Sequence, residues 1–327
     1  MPALSALVLF AWSLVALGAP QHTRHNARQA RRLSARTTYT LKDHYNGTDF
    51  FRKWNFFSGS DPTHGNVNFL TKDEATAKGL AYAQDDGTFV LAVDDKTTLN
   101  KGANRDSVRI SSPDSYNEGL FIADVYAMPH GPTVWPAYWS VGPNWPNKGE
   151  IDIIEGVGDS TTNQMTLHTS AGCTLDTNHA DEFTGKVSTT NCESANGNND
   201  GCGITDFSPQ AYGHDFNTIA GGVTAHTVSA AGIKIWSFAR TAIPADITAG
   251  KPDPDSWGKP AAFWSSDTCN IGDHFQEQVL TFDTTLCGDW AGSAFKGGPA
   301  ACTAAVADPS NYSLAKWMIN YVSVYES

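Results

Sequence analysis

Three carboxylates sit inside one apolar run of the chain, Gly149-Glu150-Ile151-Asp152-Ile153-Ile154-Glu155-Gly156. Isoleucine at 151, 153 and 154, with glycine at both ends, predicts a β-strand. Unpaired charge is costly to bury, so such a strand must turn its acids toward a cleft, a metal or water. Strict alternation puts Glu150 and Asp152 on one face and Glu155 on the other. One extra residue at the Ile153-Ile154 step, a β-bulge, returns Glu155 to the face of the other two. A row of this kind suits retaining glycoside hydrolysis, which needs a carboxylate nucleophile and a carboxylic acid about 5–5.5 Å apart. Four effective strand steps separate the Glu150 and Glu155 Cα atoms by roughly 13 Å, so only a concave strand with both side chains leaning inward closes the gap. Asp152 would hydrogen-bond the nucleophile, and like-charge crowding would raise the pKa of the acid. The simpler alternatives are a solvated acidic edge strand or a Ca2+ site of oxygen ligands.

The stretch resembles the active-site strand of glycoside hydrolase family 16 in its bulged form, Glu-apolar-Asp-apolar-apolar-Glu. The resemblance continues through Trp135-Pro136-Ala137-Tyr138-Trp139, Pro143-Asn144-Trp145-Pro146-Asn147 and Asn163-Gln164-Met165-Thr166-Leu167-His168-Thr169. It takes in Tyr212-Gly213-x-x-Phe216-Asn217, Cys287-Gly288-Asp289-Trp290-Ala291-Gly292 and the segment from Trp317 to Tyr325. It covers about residue 40 to the end, and the secreted fungal laminarinases of that family share the pattern. What it implies is an all-β fold, a concanavalin A-like β-jelly-roll sandwich whose concave sheet forms the substrate cleft. Glu150 would be the nucleophile, Glu155 the acid and base, and Asp152 the group that holds Glu150.

Substrate-binding positions follow from the same resemblance. Trp135, Trp139, Trp145 and Trp290 match cleft residues, and sugar C–H faces stack on indole. Trp54, Trp236, Trp257, Trp264 and Trp317 read as structural. His168 is expected on the neighbouring strand, where it could bond substrate or tune Glu155. Asn163 and Arg109 are candidate donors to sugar hydroxyls, with a salt-bridged structural role as the alternative for Arg109. One departure stands out. After Gly221-Gly222-Val223 the family usually shows Tyr-Ala-x-(Glu/Gln)-Trp, whereas this chain has Thr224-Ala225-His226-Thr227-Val228. Likewise Trp236-Ser237-Phe238-Ala239-Arg240 replaces a more aromatic run. These changes bear on packing or outer subsites, not on the acids.

The elements that must carry this site look like strands throughout. Short apolar runs at Phe89–Val93, Ser107–Ile110, Gly119–Ala127, Gln164–Thr169, Gly232–Phe238 and Trp317–Tyr325 are cut by Gly, Pro, Asn and Asp, with little helical periodicity. Antiparallel sheets packed as a sandwich are the expectation. At 327 residues the chain is long enough for one large all-β domain, expected over 37–327. Residues 1–19 resemble a signal peptide without its usual basic start, a retained signal anchor being the alternative. Residues 20–36 hold five Arg and no acid, and read as a pro-segment with a candidate dibasic site at Arg31-Arg32, or as a flexible tail.

Without residues 1–36 the chain keeps 17 Lys and Arg against 34 Asp and Glu. So acidic a domain has no footprint for nucleic acid and would be repelled by anionic membranes. A neutral polysaccharide fits as partner, which the resemblance makes a β-glucan, and a monomer is expected. The six cysteines, all between Cys173 and Cys302, lack Cys-x-x-Cys spacing and suggest three disulfides, with fifteen connectivities open. Cys192 and Cys202 could pin the Asn/Gly-rich loop Asn191–Gly203. Sequons at Asn46 and Asn311 are compatible with secretion, and an extracellular or wall-associated location is the expectation. No organic cofactor is implied, and a structural Ca2+, which occurs in some relatives, is neither required nor excluded. A transglycosylase using the same acids and a non-catalytic β-glucan-binding lectin on the same fold are the rival readings.

Overall fold

The computed structural model describes residues 38–195 and 198–327, and residues 38–327 form one compact unit. The expected signal peptide and basic pro-segment lie outside the described residues. Runs rich in Val, Ile, Phe, Tyr and Thr fit a pleated, half-buried surface, and they form two large antiparallel sheets with strands numbered in chain order. Across the first sheet run β16 (Ala262–Ser265), β15 (Gly232–Ala239), β14 (Gly222–Ser229), β8 (Gly119–Ala127), β18 (Lys316–Glu326), β5 (Phe89–Ala92) and β4 (Ala81–Ala83). In addition β1 (Thr40–Asn46) pairs with β18. The second sheet runs β12 (Lys186–Val187), β13 (Cys202–Asp206), β11 (Asn163–His168), β10 (Glu150–Glu155), β9 (Val134–Val141), β17 (Val279–Leu286), β7 (Arg109–Ser111) and β2 (Asn55–Phe56). A short parallel pair, β3 (Val67–Phe69) and β6 (Arg105–Ser107), lies apart. The architecture is a β-jelly-roll sandwich.

The run expected as one strand over Ser107–Ile110 is two. Residues through Ser107 pair with β3, and the chain changes partner at buried Val108 before β7 joins the second sheet. Helices are short, among them Gly288–Ala294 and Gly298–Ala305, which carry no long apolar stripe. No helix among the described residues is long and apolar enough to cross a membrane.

The two sheets meet through one apolar layer. Phe121, Ile233, Ile235, Trp317 and Ile319 come from the first sheet, and Tyr138, Ile151, Ile153, Leu167 and Phe282 from the second. Each such side chain contributes about 1.5–3 kcal/mol on burial. The Trp317 indole N–H also donates to the Asp283 carbonyl at 2.8 Å, tying the sheets together. The divergent segments fall in the first sheet, on β14 and β15, away from the acids. There His226 is fully buried and stacks on Phe121 with centroids 4.6 Å apart. The Arg240 guanidinium donates to both Asp124 carboxylate oxygens at 2.8 and 2.7 Å. Three disulfides form, Cys173–Cys269, Cys192–Cys202 and Cys287–Cys302.

Candidate active site

Strand β10 carries the three acids, and its register explains how they share a face. Asp152 opposes Trp139 and Ile154 opposes Tyr138, so Ile153 and Ile154 together face one residue of β9. Both isoleucines turn into the core, at 0% and 3% exposed. This is a β-bulge at the Ile153-Ile154 step. Beyond it Glu155 opposes Ala137 and lies on the same side as Glu150 and Asp152. Burial of Ile151, Ile153 and Ile154 stabilises the strand by several kcal/mol and offsets the cost of desolvating the acids on its other face.

Asn163 holds the bulge. Its Oδ1 accepts from the Glu155 backbone N–H at 2.9 Å, and its Nδ2 donates to the Ile153 carbonyl at 2.9 Å. At 1% exposed, with Oδ1 and Nδ2 each bonded to β10, it is buried away from a sugar hydroxyl. The expectation of a substrate donor is therefore corrected: Asn163 shapes the strand that presents Glu155. Arg109 takes the salt-bridged alternative, although its buried Nε has no hydrogen-bond partner. It sits 3.8 Å from the Asp283 carboxylate and packs between the Phe57 and Trp139 rings, 4.8 Å from each.

The remaining expected residues gather around the row. The Trp135 indole N–H donates to Glu155 Oε1 at 2.8 Å, and Trp290 packs edge-on against Trp135 with centroids 5.6 Å apart. Trp139 lies beside Asp152 on the shared face. Trp145, 46% exposed, stands near Glu150 and favours its charged form. His168 opposes Glu150 on β11, with Nε2 3.3 Å from Asp152 Oδ2. Its Nδ1 pairs with the Ser194 hydroxyl at 2.9 Å, on the loop closed by Cys192–Cys202.

Electrostatics follow from this crowding. Burial first, and then the Asp152 charge, push Glu150 up to about 8, against the opposing influence of His168 and Trp145. Asp152 rises to about 7, again through burial first. Glu155 is raised well above the usual carboxylate range by burial and then by Asp152.

Three neighbours carried no role in the sequence reading. Asp283, on the same face of β17, is pushed up to about 7, mainly by burial. The signal for it was an acid inside the apolar run Val279–Leu286. Tyr212 is fully buried beside Glu155, and burial and that carboxylate raise its pKa. Ser194 had no signal, because only the folded loop brings it to His168. Among the described residues, His and carboxylates converge at Glu150/Asp152/His168 and at Asp176/His179/Asp267. Each group includes an imidazole nitrogen, whereas Ca2+ takes six to eight oxygens. In the second group His179 Nδ1 and Nε2 are already paired with Glu182 at 2.6 Å and Asp267 at 3.0 Å.

A two-sheet sandwich with a bulged strand presenting a row of carboxylates defines a glycosidase class of fold and site. The chain belongs to glycoside hydrolase family 16: a sequence model of the XgeA-like catalytic domain of that family matches residues 54–325. It is 40% identical over 295 residues to a probable glycosidase of Schizosaccharomyces pombe, covering 88% of this chain and 70% of that protein. It is 39% identical over 339 residues to a probable endo-1,3(4)-β-glucanase of Aspergillus fumigatus, covering 98% of this chain and 50% of the relative. The chain therefore spans between half and about 70% of the length of these curated relatives. Among solved structures it is similar to an elongating family 16 β-1,3-glucosyltransferase, at TM-score 0.84 and 39% identity over 88% of this chain and 100% of that one. Laminarinase 16A of Phanerochaete chrysosporium, solved with β-glucans in donor and acceptor sites, matches at TM-score 0.83 and 39% identity over 89% and 100% of the two chains.

Proposed function

We propose that this chain is the catalytic domain of a secreted, monomeric, endo-acting β-glucanase that hydrolyses β-1,3-linked glucan with retention and also accepts mixed β-1,3/1,4 chains. The observation that carries the reading is the bulge, which aligns Glu150, Asp152 and Glu155 on one face. In the competent form Glu150 is charged and Glu155 protonated. Glu150 attacks the anomeric carbon, the glycosidic C–O bond breaks, and the Glu155 proton passes to the leaving oxygen. Glu155, now a carboxylate, takes a proton from water. That water attacks the same carbon and frees Glu150. His168 and Trp145 favour the charge on Glu150 against the neighbouring Asp152, Trp135 orients Glu155, and Trp145 also offers an exposed ring for stacking. The steps use only protein carboxyl groups, the glucan and water, in keeping with the expectation of no organic cofactor.

Digestion of laminarin, barley mixed-linkage glucan, cellulose and xyloglucan, with products sized by chromatography, tests the proposal. Oligosaccharides from laminarin and none from cellulose are expected, and an unchanged laminarin pool overturns the reading. A second reading, transglycosylation, is favoured by the elongating glucosyltransferase among the similar structures. Products longer than the glucan supplied would establish it.

A further inference from the structure

The face that carries the acids continues past them toward β12. Opposed residues of antiparallel strands share a face. Asp152 opposes Thr166, Thr166 opposes Gly203, and one step along, Gln164 opposes Thr205, which opposes Lys186. All of these therefore lie on the side of Asp152. Their neighbours Ile204 and Val187 turn the other way and pack on the core.

This surface is covered at one end and open at the other. Near Glu150 the Cys192–Cys202 loop lies over it. A Cβ on Gly201 would come within 2.6 Å of the Thr166 methyl and 2.8 Å of His168 Cε1, so only glycine lets the loop backbone press this close. Near Glu155 the surface is free: Gln164 and Thr205 are half-buried and Lys186 is exposed. Asn163, which bonds Glu155, opposes Asp206, and the next residue is Phe207. Phe207 is 56% exposed, and the Lys186 ammonium covers one face of its ring at 4.8 Å from the centroid. It follows the end of β13, which lies two strands from β10, a lateral spacing of roughly 10 Å.

We propose that Phe207, steadied by Lys186, is a remote sugar subsite that stacks a glucosyl unit of the same β-glucan chain whose bond lies at Glu150 and Glu155. The inference rests on the glucanase reading and extends it to a preference for longer chains. An exposed ring offers its free face to sugar C–H groups, Lys186 holds it upright, and the half-buried Gln164 and Thr205 offer hydrogen bonds along the path between.

The test compares kcat/KM on laminariheptaose and laminaritriose for the wild type, Phe207→Ala and Phe207→Trp. Loss of one stacking contact predicts that the heptaose-to-triose ratio falls about fivefold in Phe207→Ala, while Phe207→Trp retains it. Equal ratios in the wild type and Phe207→Ala, on enzyme that cleaves both substrates, overturn the subsite and leave the glucanase reading standing. A wild type that cleaves neither overturns both.

Discussion

Asn163 and Glu155 are joined through the backbone: the Asn163 side chain accepts from the Glu155 N–H at 2.9 Å while donating to the carbonyl of Ile153. One buried amide thus fixes both sides of the bulge that turns the acid toward substrate. Asn163→Ala leaves two buried backbone groups unpaired, a cost of about 2–4 kcal/mol, and lets the strand relax toward regular pairing. The expected result is a lower Tm by thermal denaturation, together with a loss of about a hundredfold or more in kcat/KM on laminarin. Normal turnover in a folded Asn163→Ala enzyme would show that the bulge stands without it.

After burial, Asp152 is the next cause of the raised pKa values of both glutamates in the row. Its charge raises both Glu150 and Glu155, so Asp152→Asn lowers both. The limb of the pH–rate profile where Glu150 ionises and the limb where Glu155 loses its proton should each move to lower pH. A reduced kcat is expected as well, since Glu150 loses its neighbour. Profiles of kcat/KM for wild type and variant check this, and limbs that stay in place would contradict it.

The same acids make the fold sensitive to alkali. Burial and then Asp152 raise Glu150 to about 8 and Glu155 well above the usual carboxylate range, while an unfolded Glu titrates near 4.3. Stability present below the unfolded value is therefore lost as pH rises through the folded one. Replacing Glu150 by Gln removes the cost of ionising it, on the order of 3 kcal/mol at pH 8. Glu150→Gln and Glu155→Gln should both be inactive, yet melt higher than wild type at pH 8, with the gap closing toward pH 5. Melting curves across that range decide it.

His226 acts in the opposite direction. Burial between the sheets depresses its pKa to about 3, against an unfolded value near 6.5. Its contribution is intact above pH 6.5 and is lost as pH falls toward 3, because the unfolded chain takes up the proton first. His226→Phe keeps the stack on Phe121 and removes the titration. At pH 4 the variant should gain about 3 kcal/mol relative to its standing at pH 7.5, measured by urea unfolding at both values. An equal effect at both pH values would assign the change to packing alone.

The sequence by itself determined the strand-rich sandwich, the acid row and the need for a bulge, because period-two alternation and the cost of buried charge act locally on β10. It also marked Trp135, Trp145 and His168 as neighbours of the row. Only the tertiary structure decided what depends on which strands lie side by side. It spent the Asn163 amide on the bulge and paired Arg109 with Asp283. It brought Tyr212 beside Glu155 and Ser194 onto His168, across separations no local pattern encodes. It split Ser107–Ile110 between two sheets and chose one disulfide pairing among fifteen. It also left Phe207 exposed just past β13, beneath the Lys186 ammonium. Alternation tells which way a side chain points, whereas its partner is set by register and by loops that close only when the whole sandwich has formed.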